Sequence, residues 1–310
     1  MKRIISLIIA LTLCIGVCLS LASCGGSSDT YNVGVCQLME HDSLDQATQG
    51  FIDALNAKMS AAGKTVNIDV QVAGEADLCT TVIGTFTAKN VDLIMGNATP
   101  ALLSAANATA TIPVLGTSVT DYADTFSGNI PSNVGGTSDA VPFDEQAEMM
   151  ISSLGLVAGD KVGVIYCTNE SNSVIQYNAV KALFEAENIV VEAYTFSDTT
   201  ELQTIVTSAA SECKAIYVPS DNTVAQNDTV VGSICNEQNV PVYTSYSSTI
   251  CYASLAIDYY QLGYRTGEMA AEILLGNKTV ADFEIETLEP SVVYNEELCQ
   301  QLGITVPENK

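Results

Sequence analysis

A chain of 310 residues, 47% of them hydrophobic, carries enough apolar material for one large domain or two modest ones, which excludes an intrinsically disordered protein. Eleven basic residues against 36 acidic ones, a formal charge of −25, set up a field that repels nucleic acid and anionic lipid surfaces. Arg265 is the only arginine beyond Arg3, so an anionic group on a ligand would have to be met by backbone amides, hydroxyls or side-chain amides rather than by guanidinium forks.

Lys2 and Arg3 open the chain, an apolar run from Ile4 to Ala22 follows, and Leu21-Ala22-Ser23-Cys24 leads into the small polar stretch Gly25 to Asp29. The apolar run is about long enough to cross a bilayer, and a plain membrane anchor is the alternative reading. Small residues directly before a cysteine favour cleavage, so residues 1–23 are expected to be a lipoprotein signal peptide, Cys24 the lipidated residue and residues 24–30 a flexible tether. The protein is therefore expected outside the cytoplasm, anchored to the cell membrane by lipid. Seven cysteines remain beyond Cys24, namely Cys36, Cys79, Cys167, Cys213, Cys235, Cys251 and Cys299. None forms a close-spaced pair, which argues against a zinc site and for small buried hydrophobes.

From Tyr31 onward short β-branched runs alternate with longer helical patterns, as in βαβ units built on parallel sheets. Val33-Gly34-Val35 predicts a first strand, and Ser43 with Gln46 a capping box for a helix carrying Leu44, Ala47, Phe51 and Leu55, closed by Gly63. Strands are predicted at Val91 to Met95 and Ile112 to Leu115. Asn133 to Pro142, rich in small residues, is the expected first crossover between lobes. The same pattern then repeats at a near-constant offset: Val162 to Ile165, a Ser173 and Gln176 capping box, Lys214 to Val218, and Val240 to Tyr243. A second crossover is expected after Tyr243 to Ser248, followed by a helix from about Tyr260 to Leu275 ended by Gly276. The expected architecture is α/β: two doubly wound parallel-sheet lobes joined by a multi-strand hinge, residues 31–138 plus 257–280 in one lobe and 139–256 plus 281–310 in the other.

Ligands of open α/β sheets bind beyond the carboxyl ends of the strands. The polar residues directly after each predicted strand are Gln37, Glu40 and His41, then Asn97 to Pro100, then Thr117 to Asp121; the second series adds Asn169 to Ser173, Ser220 to Asn222, Thr244 to Ser248, and Asp258. Thr99 before Pro100 reads as an N-cap with proline in the first turn, leaving free amides for a carboxylate. Asp221 and Asp258 are suited to accept from an ammonium group. Ser, Thr, Asn and Asp also serve everywhere as caps and turns, and that plainer role stands beside the ligand role for each. His41, the sole histidine, is the best catalytic candidate by type, yet no Gly-x-Ser-x-Gly elbow, Walker loop, His-Glu-x-x-His helix or dinucleotide fingerprint is present. A binding protein without turnover, cofactor or metal is expected. A sensing receptor for a sugar or nucleoside, and an exported enzyme, are the competing readings.

Val35 to Asp45 (VCQLMEHDSLD), Met95 to Pro100, TSVTD from Thr117 to Asp121, VPSDNTV from Val218 to Val224, and IDYYQLG from Ile257 to Gly263 together resemble the ABC transporter substrate-binding proteins grouped with the tryptophan-binding lipoprotein TrpX. The resemblance runs in order from about Val33 to Leu288. It implies a type I periplasmic-binding fold, a monomer, closure of two lobes around a small molecule, delivery to a permease with its ATPase, and an aromatic amino acid as cargo. Carried over position by position, it implies a ligand shell of Gln37, Glu40, His41, Thr99, Pro100, Thr117, Asp121, Asn172, Ser173, Asp221, Asn222 and Asp258. Helix N-termini near Thr99 and Ser173 would hold the ligand's carboxylate, and Asp221 its ammonium. Ser43 and Tyr122 depart from the family pattern, which has proline at both places. An aromatic platform, with tryptophan absent, would have to come from Tyr122, Tyr246 or Tyr259.

Overall fold

A computed structural model describes residues 30–307. The predicted leader, the lipidation of Cys24 and the start of the tether lie outside the described residues. The first series comprises β1 (Thr30–Gln37), α1 (Asp42–Ala61), β2 (Thr65–Val72), α2 (Ala76–Lys89), β3 (Leu93–Asn97), α3 (Thr99–Ala108), β4 (Val114–Val119), α4 (Tyr122–Thr125) and β5 (Val134–Ser138). The second comprises α5 (Phe143–Leu154), β6 (Lys161–Cys167), α6 (Ser171–Ala186), β7 (Val190–Phe196), α7 (Leu202–Glu212), β8 (Ala215–Val218), α8 (Asn222–Gln226), α9 (Asp228–Glu237), β9 (Val242–Thr244) and β10 (Ala253–Ala256). The chain closes with α10 (Tyr259–Leu274), β11 (Glu286–Thr287), β12 (Ser291–Tyr294) and α11 (Glu296–Leu302).

Two six-stranded sheets result, ordered β11-β5-β4-β3-β1-β2 and β12-β10-β9-β8-β6-β7. The strand order is the same in both, as expected of repeated lobes. Pairing is parallel throughout except between β10 and β12. The central strands β3, β4, β5 and β8 are buried at every position, as they must be when helices cover both faces of a parallel sheet. The edge strand β2 alternates between exposed and half-buried residues.

The crossovers differ from expectation. Val134 to Ser138 is no linker but the strand β5, so the chain first crosses at residues 139–142. After β9 it adds β10 to the second sheet before returning through Ile257 and Asp258. Residues 281–310 do not all stay with the second lobe, since Glu286 and Thr287 pair with Thr137 and Ser138 in the first sheet. Arg265 explains that excursion: its guanidinium grips both oxygens of Glu286 at 2.7 and 2.8 Å and also reaches Glu268. The one arginine among the described residues thus pins β11 to α10.

Helix starts also move. His41, not Ser43, is the N-cap residue of α1, and no side chain caps that helix. Ala98, with φ of 86°, precedes α3 where Thr99 was expected, and Glu170 precedes α6. The seven cysteines are free and buried. Among the described residues, no His, Cys, Asp or Glu cluster suits a metal and no helix is long and apolar enough to cross a membrane.

Candidate ligand-binding cleft

The carboxyl ends of both sheets face each other, and the loops after β1, β4, β6, β8 and β9 close over the space between. A small cavity of about 10 Å3 lies at its centre, lined by His41, Ser43, Leu44, Ser118, Asp139, Ser220, Asp221, Asn222, Ala225, Tyr246 and Tyr259. A larger groove of about 820 Å3 opens beside it, along Glu40, Asp258 and the 246–249 loop. The groove is roomier, but the central cavity holds the unsatisfied chemistry. Ser118 Oγ, Asp139 Oδ1 and Tyr246 Oη have no hydrogen-bond partner, although these residues are only 7%, 5% and 4% exposed. Each such atom costs about 1–3 kcal/mol, so three lining one cavity call for a ligand.

Local backbone explains how two of the three arrive there. Ser118 has φ of 56°, and the β4–β5 register slips between Gly116 and Val119. That bulge turns Ser118 out of the sheet toward the cleft, at a cost in strain typical of functional sites. Asp139 sits on the first crossover directly after β5, where Tyr259 Oη donates to its Oδ2 at 2.8 Å. Burial raises the Asp139 carboxyl above the usual range, against the bond from Tyr259 and the nearby Thr120 hydroxyl that favour its charge.

The expected site residues divide. His41, Asp221 and Asn222 line the cavity, while Glu40 and Asp258 lie on the groove. Pro100 lies at the opposite mouth with Glu170 and Asn169. Gln37 instead clasps Asp45 and Met39 and accepts from Thr48 inside the first lobe. Thr99 is buried at the start of α3, and Thr117 meets Thr137 between strands. Asp121 caps α4 and Asp258 caps α10.

Asn172 donates to Ser220 O, and Ser173 donates to Asp221. Asp221 itself is consumed. Its two oxygens accept from Cys167 N, Ser173 Oγ and Val224 N at 2.7–2.8 Å. Burial, then the Glu170 charge, pushes Asp221 well above the carboxylate range despite those donors. Tyr122, one proposed platform, packs against β5 with its hydroxyl on Gly135 O and Thr137 O.

Asp139 and Gln176 carry cleft roles that sequence reasoning missed, and Glu170 and Ser118 lay within the polar stretches expected after β6 and β4 without being singled out. Glu170 accepts from Asn222 N, Asn222 Nδ2, Thr223 N and Thr223 Oγ1, which caps α8 and fixes the Asn222 amide. Asn222 Oδ1 then faces His41 Nε2 at 3.2 Å across the cleft. Burial lowers the His41 pKa, so the neutral ring donates here. Gln176, expected as a helix cap, bridges instead from Ser220 N to Thr120 Oγ1. Replacing Glu170 by Gln turns an amide N–H₂ toward donors that now find an acceptor. The expected outcome is a loss of about 1–3 kcal/mol in chemical denaturation, with the m-value unchanged.

A family profile described as ABC transporter substrate binding protein matches residues 32–310. The chain belongs to that family of ABC transporter substrate-binding proteins. A curated relative, the tyrosine-binding protein of Clostridioides difficile (strain R20291), is 34% identical over 98% of this chain and 93% of its own length. The crystal structure of an ABC domain in complex with L-Trp from Streptococcus pneumonia superposes with a TM-score of 0.82 at 32% identity, covering 90% of this chain and 96% of that one. A ligand-free, open substrate-binding protein with adhesive properties from Clostridium difficile gives 0.68 at 31% identity, covering 90% and 97%. At nearly equal identity and coverage, this substrate-binding protein superposes better on the ligand-bound relative. The His41–Asn222, Gln176–Thr120 and Gln226–Glu40 bonds run between the two lobes.

Proposed function

We propose that this substrate-binding protein captures an aromatic amino acid in the cleft formed by the central cavity and the groove that adjoins it at His41, Ser43, Tyr246 and Tyr259, and delivers it to a permease driven by its ATPase. The observation that carries the reading is the set of unpartnered atoms on the cavity wall, a carboxylate oxygen and two hydroxyls, in a chain related to a tyrosine-binding and a tryptophan-bound protein. Asp139 Oδ1 takes the ligand's ammonium, the role that Asp221 cannot play with its oxygens engaged. The first turn of α1 has no side-chain cap, and its residues Ser43 and Leu44 line the cavity. Its free amides and the Ser118 hydroxyl are therefore suited to the carboxylate. Tyr246 and Tyr259 supply ring contacts.

The protein acts as a monomer without turnover, outside the cytoplasm, tethered through lipid on Cys24. Thermal unfolding of the ligand-stripped chain against amino acids, sugars, nucleosides and polyamines tests the cargo. At about 100 times its dissociation constant, tyrosine, tryptophan or phenylalanine should add about 2.7 kcal/mol and raise the midpoint by a few degrees. A rise with a sugar or nucleoside, and none with the aromatic amino acids, would leave the fold in place and overturn the cargo.

A further inference from the structure

We infer that the Tyr246 hydroxyl reads a polar atom on the ligand's ring, so that a hydroxyphenyl or indole side chain is held more tightly than a plain phenyl one. This rests on the aromatic amino acid reading and adds the residue that sets its specificity.

The assignment follows from which polar groups on the cavity wall are free. On the first-lobe side Asp139 Oδ1 and Ser118 Oγ are unpartnered and stand beside the uncapped turn of α1, which matches the charged main chain of an amino acid. On the second-lobe side nearly every polar side chain is engaged. Asp221 accepts from three donors, and Asn222 is shared between Glu170 and His41. Ser220 is bonded through its backbone to Gln176 and through its hydroxyl to Ser245 O. Tyr246 alone on that side keeps a buried hydroxyl with no partner.

Tyr259 lines the same cavity as both groups, its hydroxyl on Asp139. A ligand whose main chain meets Asp139 and whose far end meets Tyr246 therefore shares the cavity with the Tyr259 ring. Burial holds the Tyr246 hydroxyl neutral, so it keeps both its proton and its acceptor capacity. It is able to donate to a phenol oxygen or accept from a phenol O–H or an indole N–H. Phenylalanine leaves it unpaired, and a site built around a hydrogen bond discriminates against the ligand that cannot make it.

Titration calorimetry of the ligand-stripped chain with L-tyrosine, L-tryptophan and L-phenylalanine, in wild type and Tyr246→Phe, tests the inference. Wild type should prefer tyrosine over phenylalanine by on the order of 10- to 100-fold. In Tyr246→Phe the preference should shrink to within about threefold, through weaker tyrosine binding, with phenylalanine unchanged or tighter. The empty variant should melt no lower than wild type, because the hydroxyl it loses has no partner to lose.

Equal binding of tyrosine and phenylalanine by wild type, equal weakening of both in the variant, or a variant that melts lower or fails to fold would each overturn the role of Tyr246 and leave the cargo standing. If none of the three amino acids binds wild type, the cargo reading fails and this inference with it.

Discussion

Asp139→Asn is expected to weaken aromatic amino acid binding by at least about 100-fold while leaving the empty protein at least as stable as wild type. The two halves of this result have one cause. Asp139 is buried with one oxygen on Tyr259 and the other on nothing. In the empty cleft its charge is costly, which is why burial raises its pKa. An ammonium group reverses that cost, and truncating one member of a buried, hydrogen-bonded charge pair costs about 2–5 kcal/mol. The amide keeps the shape and the bond from Tyr259, so folding does not suffer.

The pH dependence runs in opposite directions for the two properties. A raised pKa means the folded, empty protein binds the proton more readily than the unfolded chain. The stability contributed by that proton is fully present below about pH 3.9, the unfolded value, and is lost as pH rises through the higher folded value. Ligand binding needs the ionised form, so affinity should fall as pH drops through the same raised value. Calorimetric titrations across pH 4 to about 8 should show that fall in wild type and a flatter profile in Asp139→Asn. Wild-type affinity independent of pH, or an Asn variant that binds normally, would remove Asp139 from the ammonium site.

Gly263→Ala should be the most damaging single methyl addition in the first lobe. Helices α1 and α10 cross at a spacing that only glycine permits. A Cβ on Gly263 would lie 1.8 Å from Ala47 O, and one on Gly50 would lie 2.0 Å from Tyr260 O. These contacts are to backbone, which cannot rotate away, so the helices would have to separate. Separation would also disturb Phe51, Leu55, Met269 and Ala270, which share one buried cluster, and the α10 start that carries Tyr259. A loss of more than about 4 kcal/mol is expected, at the extreme of single substitutions. Gly84, around which a Cβ would meet open space, serves as the control, and Gly84→Ala should stabilise slightly by helix propensity. Urea denaturation of the two variants checks this; equal stability would mean that the crossing relaxes at little cost.

Recognition of the two-lobed α/β fold needed only local information. Buried runs such as Val33 to Val35 and Val162 to Ile165 come up twice in the same order, and their burial on both faces is written in their composition. Turn chemistry was equally legible at Gly63 and Gly276, both at positive φ after a helix. Short strands were not. Val134 to Ser138 reads as a small-residue linker because its Gly135-Gly136-Thr137 stretch is selected for close packing against β4 and Tyr122, a requirement that exists only once those neighbours are in place.

The candidate site divides along the same line. Residue types after strand ends are visible in the chain, and His41, Asp221 and Asn222 do reach the cavity wall. Whether a polar side chain has spare hydrogen-bonding capacity depends on partners far away in sequence. Asp221 looks like an ammonium acceptor until Cys167 N and Ser173 Oγ, contributed by residues around the end of β6, occupy it. Asp139 looks like a linker residue until the folded lobes bury it and leave one oxygen free. Composition, periodicity and motif order determined the fold class and the family resemblance, because those depend on local patterning of apolar and turn residues. Which carboxylate stays free, which hydroxyl goes unpaired and which helix end lies bare were decided only by the tertiary structure, because hydrogen-bond satisfaction is a property of neighbours in space.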